Sequence, residues 1–278
     1  MDQRAAATDG WTDRYWTSRD GLRLHFRDYA GPADRPPILC LHGLTRNSRD
    51  FEDFAARYAG EWRVIAPDFR GRGLSQWDRH PENYKPPIYA ADTLQLLDEL
   101  QVPEAIFVGT SLGGLVTMAM TASAPQRIAA VILNDVGPEL DSTGLGRIGN
   151  YVGKPATFDS WDSAAAALAQ GHSAAHPDYG AIAFDYDMAI ADNFRAAQHG
   201  PALDAWPYYR ALSEAPLLIV RGQLSDLLSG SVARAMVGAH PDAQLVTVPN
   251  VGHPPDLTEP DAIAAIDRLL ERVSRGKN

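Results

Sequence analysis

The sequence predicts an α/β fold, a mostly parallel sheet flanked by helices, and three observations predict it. Short apolar runs recur along the 278 residues, at 37–41, 64–66, 105–108, 130–133, 217–220 and 244–248. Most are continuous rather than alternating, which marks strands buried on both faces, as parallel strands are. Amphipathic segments separate the runs, and strands linked through helices imply right-handed crossovers. A hydrophobic content of 45% over this length is enough for one large core.

Taken in order, residues 21–29 alternate Leu22, Leu24 and Phe26 with polar neighbours, as a half-exposed antiparallel edge strand would. Residues 88–100 cluster Leu94, Leu96, Leu97 and Leu100 on one helical face. Residues 261–273 do the same with Ile263, Ile266, Leu269, Leu270 and Val273. The alternation breaks between Val136 and Glu214. A structureless loop of that length is implausible, and the segment is helix-like and rich in aromatics: Tyr151, Phe158, Trp161, Tyr179, Phe184, Tyr186, Phe194, Trp206, Tyr208 and Tyr209. There is no internal repeat and no low-complexity tract.

The run Gly109-Thr110-Ser111-Leu112-Gly113 sits between the strand at 105–108 and a helix beginning near Leu115. A G-x-S-x-G between strand and helix is a nucleophile elbow. The turn is so tight that a Cβ at either flanking glycine would strike a neighbouring strand or helix. It lifts the Ser111 hydroxyl out of the sheet and turns the Leu112 N–H, at a helix N-terminus, toward a forming oxyanion.

A serine nucleophile needs a base and an orienting acid, and both lie downstream. The strand at 217–220 runs into Arg221-Gly222-Gln223-Leu224-Ser225-Asp226, which carries an acid just past its C-terminal end. The strand at 244–248 is followed by Pro249-Asn250-Val251-Gly252-His253, a loop at the edge where open α/β sheets place their sites. Asp135 also ends a strand and is the competing acid. It stands in Asn134-Asp135-Val136-Gly137-Pro138, which reads as a turn whose Asp can bond local backbone. Asp226 is the expected acid, because the stretch from it to His253 accommodates one helix and one strand.

The chain order Ser111, Asp226, His253 resembles that of the α/β-hydrolase superfamily. So does His42-Gly43-Leu44-Thr45 after the strand at 37–41, similar to the HG-x motif whose following residue, here Leu44, gives the second oxyanion-hole N–H. The stretch Asp68-Phe69-Arg70-Gly71-Arg72-Gly73-Leu74-Ser75 resembles the family's D-x-R-G-x-G-x-S loop, in which Asp68 and Arg70 would be structural. The resemblance runs from about Tyr15 to about Arg272. It implies an eight-stranded sheet in a core domain of residues 1–136 and 215–278. It also implies a helical cap, residues 137–214, inserted before the acid-bearing strand. Cap aromatics near the hinges, Tyr151, Trp206 and Tyr209, are the expected substrate-binding residues.

Composition narrows the function classes. A formal net charge of −10 argues against nucleic acid and anionic membrane surfaces. The first ten residues lack the apolar core of a secretory signal, and no run approaches a membrane span. The single cysteine, Cys40, falls on a core strand, so no intrachain disulfide forms and a reducing cytoplasm is the expected compartment. His172 and His176 are four apart, but no HExxH-type neighbourhood supports a metal. No cofactor is expected, and the partner is a small-molecule ester or lactone met by a monomer or homodimer.

The resulting expectation is a serine hydrolase of the esterase or lactonase type, cleaving a small apolar ester through an acyl-enzyme. Serine at the elbow argues against the dehalogenase and epoxide-hydrolase branches, which need a carboxylate there. Carbon–carbon hydrolases resembling this chain carry a Gly-Pro-Gly-rich loop where Leu44-Thr45-Arg46-Asn47-Ser48 stands, so that reading is secondary. Cofactor-free oxygenation or perhydrolysis on the same triad stays open. So does a non-catalytic small-molecule receptor.

Overall fold

Each central strand contributes alternate side chains to two separate cores, and that period of two is what builds the sheet. The computed structural model describes residues 10–154, 157–158, 160, 182–199 and 204–275. Strands β1 (Trp11–Thr17), β2 (Arg23–Tyr29), β3 (Ile38–Leu41), β4 (Val64–Pro67), β5 (Ala105–Thr110) and β6 (Ile128–Asn134) precede a long insertion. Strands β9 (Leu217–Gly222) and β10 (Ala243–Val248) follow it. The eight strands lie in the order β1-β2-β4-β3-β5-β6-β9-β10. β2 is antiparallel to both neighbours, and all the other pairs are parallel.

Ile38, Cys40, Ile106, Val108, Ile132, Leu218 and Val220 pack on one face, against helices α1 (Glu52–Tyr58) and α8 (Pro260–Arg275). Burial raises the Cys40 thiol well above its usual range, so it is an inert core residue. Leu39, Leu41 and Phe107 face the other side, toward α2 (Pro86–Glu99) and α3 (Leu112–Met120). Val131, Leu133, Leu217 and Ile219 extend that side onto α7 (Gly230–Gly238).

The predicted elements are present with small shifts. The edge position expected for residues 21–29 belongs instead to β1, whose run Trp-Thr-Asp-Arg-Tyr-Trp-Thr shows no clean apolar alternation. The loop 68–75 is structural. Asp68 accepts from the N–H groups of Ser48 at 2.6 Å and Leu74 at 2.9 Å and meets His25 at 2.7 Å. Arg70 is paired with Asp20, Asp78 and Asp92 rather than with Asp68.

Between β6 and β9 run α4 (Ser142–Gly149), the paired two-residue strands β7 (Thr157–Phe158) and β8 (Ile182–Ala183), α5 (Ile190–His199) and α6 (Trp206–Arg210). The β7–β8 pair departs from a purely helical reading. Trp161, His172, His176 and Tyr179 lie outside the described residues. The segment docks on the sheet layer through named bonds: Asp141 N–H to the Leu227 carbonyl at 2.9 Å, and Asp187 N–H to the Gly71 carbonyl at 2.8 Å.

Candidate active site

Four strand ends converge at one edge of the sheet. β5 ends at Thr110 and Ser111 follows it, with its backbone at φ 51° and ψ −112°, the strained conformation of the elbow. Only a bare neighbour fits such a turn: a Cβ on Gly113 would lie 2.0 Å from the Leu41 carbonyl oxygen of β3. One on Gly109 would lie 2.6 Å from Gly114 in α3. The Ser111 N–H donates to the Asn134 carbonyl at 3.0 Å, tying the elbow to the end of β6.

His253, in the loop after β10, places Nε2 3.1 Å from Ser111 Oγ. Its Nδ1 lies 2.9 Å from Asp135 Oδ2. The acid facing His253 is therefore Asp135, not the expected Asp226. Asp135 is fully buried, and its other oxygen accepts the Gly222 N–H at 3.2 Å. A carboxylate on Nδ1 fixes that nitrogen as the donor and leaves Nε2 to accept from the serine hydroxyl.

Asp226 is held elsewhere. Arg147 of α4 grips it with Nε at 2.6 Å and Nη2 at 2.9 Å. That ion pair, ahead of the cost of burial, keeps the Asp226 carboxyl below its usual range. The inserted segment consequently follows the strand whose acid meets His253, instead of preceding it.

Of the two expected oxyanion donors, Leu44 borders the Ser111 pocket and Leu112 directly follows Ser111. Among the described residues neither the Leu44 nor the Leu112 N–H meets an acceptor. Leu112 opens α3, where the first N–H groups have no intrahelical partner and the helix dipole is positive. The Gly43 carbonyl accepts from His42 Nδ1 at 2.7 Å and from the Arg46 N–H at 3.3 Å. In a trans peptide this turns the Leu44 N–H the opposite way. His42 Nε2 accepts the Phe69 N–H at 3.0 Å, so the ring is the neutral Nδ1–H tautomer. Burial holds it neutral, with its pKa lowered to about 4.

A pocket opens over Ser111 and His253. Its walls are Gly43 to Arg46, Asp50 and Phe51 on the β3 side, and Thr110 and Asn134 at its base. Arg147, Ile148 and Tyr151 come from α4 and its exit, and Pro254 to Leu257 complete the ring. Tyr151 borders the pocket as expected. Trp206 and Tyr209 do not. Tyr209 is fully buried, its hydroxyl donating to the Met236 carbonyl at 2.7 Å among Met118, Leu212 and Leu228. Trp206 donates from Nε1 to Glu139 at 2.5 Å. These two rings fasten α6 onto α3 and α7, because α6 returns beside the sheet layer rather than over its strand ends.

Arg46, Arg147 and Asn134 were not singled out by the sequence. The one available signal was the polar run after His42-Gly43, which places Arg46 three residues beyond an oxyanion glycine. Among the described residues no group of three or more His, Cys, Asp or Glu side chains is placed to hold a metal. No described helix is long and apolar enough to cross a membrane.

A sequence model of the α/β hydrolase family matches residues 38–266. The chain belongs to that family. It is 34% identical to the 3-hydroxybutyrate-oligomer hydrolase of Cupriavidus necator over 268 residues, covering 87% of this chain and 90% of the relative. It is 30% identical to the 2-(acetamidomethylene)succinate hydrolase of Mesorhizobium japonicum over 253 residues, covering 85% and 88%. The crystal structure of an α/β hydrolase from Novosphingobium aromaticivorans superposes with a TM-score of 0.88 at 48% identity, over 96% of this chain and 100% of that one. Hydrolase chemistry is thus the shared property of this α/β hydrolase and its named relatives.

Proposed function

We propose that this α/β hydrolase cleaves carboxylic esters through an acyl-enzyme on Ser111, with His253 as the base and Asp135 as the orienting acid. The observation that carries the reading is the unbroken line of hydrogen bonds from Asp135 through His253 to Ser111 Oγ. His253 Nε2 takes the hydroxyl proton as Oγ adds to the ester carbonyl, and the Leu44 and Leu112 N–H groups receive the oxyanion. The tetrahedral adduct collapses by breaking the C–O bond, and the alcohol leaves with the proton from His253. Water, deprotonated by the same nitrogen, then attacks the acyl-enzyme and releases the acid and Ser111.

Short esters of hydroxyalkanoic acids are the proposed substrates, on the strength of the Cupriavidus necator relative matched over most of both chains. Residues 137–214 are read as a cap, with α4 and Tyr151 forming one wall of the pocket. The test is hydrolysis of 4-nitrophenyl butyrate and of linear 3-hydroxybutyrate dimers and trimers by wild type and Ser111→Ala. Loss of at least about 10⁴ in kcat is expected for the variant. Labelling by a fluorophosphonate should give one adduct, on Ser111. A Ser111→Ala enzyme retaining more than a few per cent of wild-type kcat would refute the nucleophile. A folded wild type silent on every ester would favour a receptor.

A further inference from the structure

Beside Ser111 the pocket carries a cation whose hydrogen-bonding capacity is mostly unspent. Arg46 donates from Nε to Asp50 at 2.7 Å, and among the described residues its two Nη groups have no partner. Its side chain is 31% exposed, so a solute can reach it. Its stem and the nucleophile flank Gly43 in one pocket: a Cβ on Gly43 would stand 3.4 Å from Arg46 Cγ and 3.9 Å from Ser111 Cβ. Arg147 differs, because Asp226 engages it with two parallel bonds.

The surroundings add donors. Tyr151 and Thr45 both line the pocket, as Arg46 and Arg147 do. Asp50 and the Asp256 carboxylate offset the cost of burying the Arg46 charge and keep it protonated. A guanidinium with two free Nη groups matches the two oxygens of a carboxylate. A purely apolar ester would leave those donors unpaired against its chain.

We infer that Arg46, with the Tyr151 and Thr45 hydroxyls, forms a carboxylate-binding subsite beside Ser111, selecting esters that carry a free carboxylate. The inference rests on the proposed ester hydrolysis for its substrate form, and not for the binding itself. Within the hydroxyalkanoic esters proposed above, it favours those that keep a free carboxylate over neutral ones.

The experiment compares 3-(butanoyloxy)butanoate with its neutral N,N-dimethylamide, in wild type, Arg46→Gln and Arg46→Lys, following butanoate release. The readout is the ratio of the two kcat/KM values within each enzyme, so a general loss of activity cancels. The Arg46→Gln ratio should fall roughly 10–100-fold, the worth of a charge-assisted hydrogen bond. The fall should lie mainly in KM for the anion, and Arg46→Lys should recover part of it. An unchanged ratio overturns the subsite. A wild type inactive on both esters counts against the proposed function. The subsite is then decided by calorimetric titration with glutarate: equal affinity for wild type and Arg46→Gln overturns it, and weaker binding to the variant upholds it.

Discussion

The ends of β6 and β9 lie side by side in the sheet, and each leads into an aspartate, yet only one of the two meets His253. Asp135 immediately follows β6. Its N–H donates to the Val220 carbonyl at 2.7 Å, and its backbone adopts φ 56°, which together point the carboxylate along the strand ends. Asp226 comes four residues after β9 ends at Gly222, far enough for its loop to turn toward α4. There its carbonyl accepts the Gly144 N–H at 2.9 Å and its carboxylate binds Arg147. A strand-end acid thus takes its task from whichever loop descends on it. The histidine loop descends on β9 but reaches across to β6.

The sharpest way to break this comparison is to neutralise the acids one at a time. Asp135→Asn should reduce kcat by about 10⁴, because the amide no longer fixes the imidazole tautomer or stabilises the imidazolium. Asp226→Asn should stay within about tenfold of wild type on a neutral ester, since its carboxylate bonds to Arg147 and not to the ring. Steady-state kinetics with 4-nitrophenyl butyrate separates the two. If Asp226→Asn proved the crippled enzyme, the hydrogen bond from His253 to Asp135 would not be the catalytic one.

A smaller effect tests what β9 does contribute. A Cβ on Gly222 would lie 2.1 Å from the Gly252 carbonyl oxygen and 2.7 Å from that of Val251. Both are backbone atoms of the histidine loop, so Gly222→Ala must push the loop away. Misplacing His253 by about 1 Å should cost on the order of 10² in kcat. Near-UV circular dichroism should show the rest of the fold retained. Activity within threefold of wild type would mean that the loop finds its position without this close approach.

How legible this was in the sequence depended on how local each signal is. Ser111 and His253 announce themselves because the strained turn and the Gly-His loop are written in consecutive residues beside apolar strand runs. The acid is decided 118 residues away from His253 in the chain, by Asp135's backbone conformation and by Arg147 holding Asp226. Neither shows in composition or spacing. The sequence points Tyr209 and Trp206 at the site because they lie near the segment's return to the sheet. Nearness in sequence to that return put them beside α3 instead, where a fully buried tyrosine bonds the Met236 carbonyl. Arg46 was invisible for the opposite reason: an exposed-looking arginine in a loop reads as surface until the fold brings it into the pocket that Ser111, distant in sequence, also lines.

The smallest effect concerns what Asp226 does instead of catalysis. Its bidentate pair with Arg147 fastens α4 beside the pocket, with side-chain exposures of 28% and 38%. Partly exposed pairs are screened, so Asp226→Asn should cost about 1 kcal/mol or less, a fall of roughly 2–4 °C in Tm at most. Its pH dependence follows from the sign of the shift. Arg147 holds the folded-state carboxyl below its ordinary value of 3.8. Stability from the pair is therefore fully present above that value and is lost as pH falls through the lower folded one. The Tm difference between wild type and Asp226→Asn should be flat from about pH 8 to pH 5, and 1 M salt should shrink it. A difference that instead changed between pH 7 and pH 6 would track a histidine. That would return Asp226 to His253 and make the two strand ends alike.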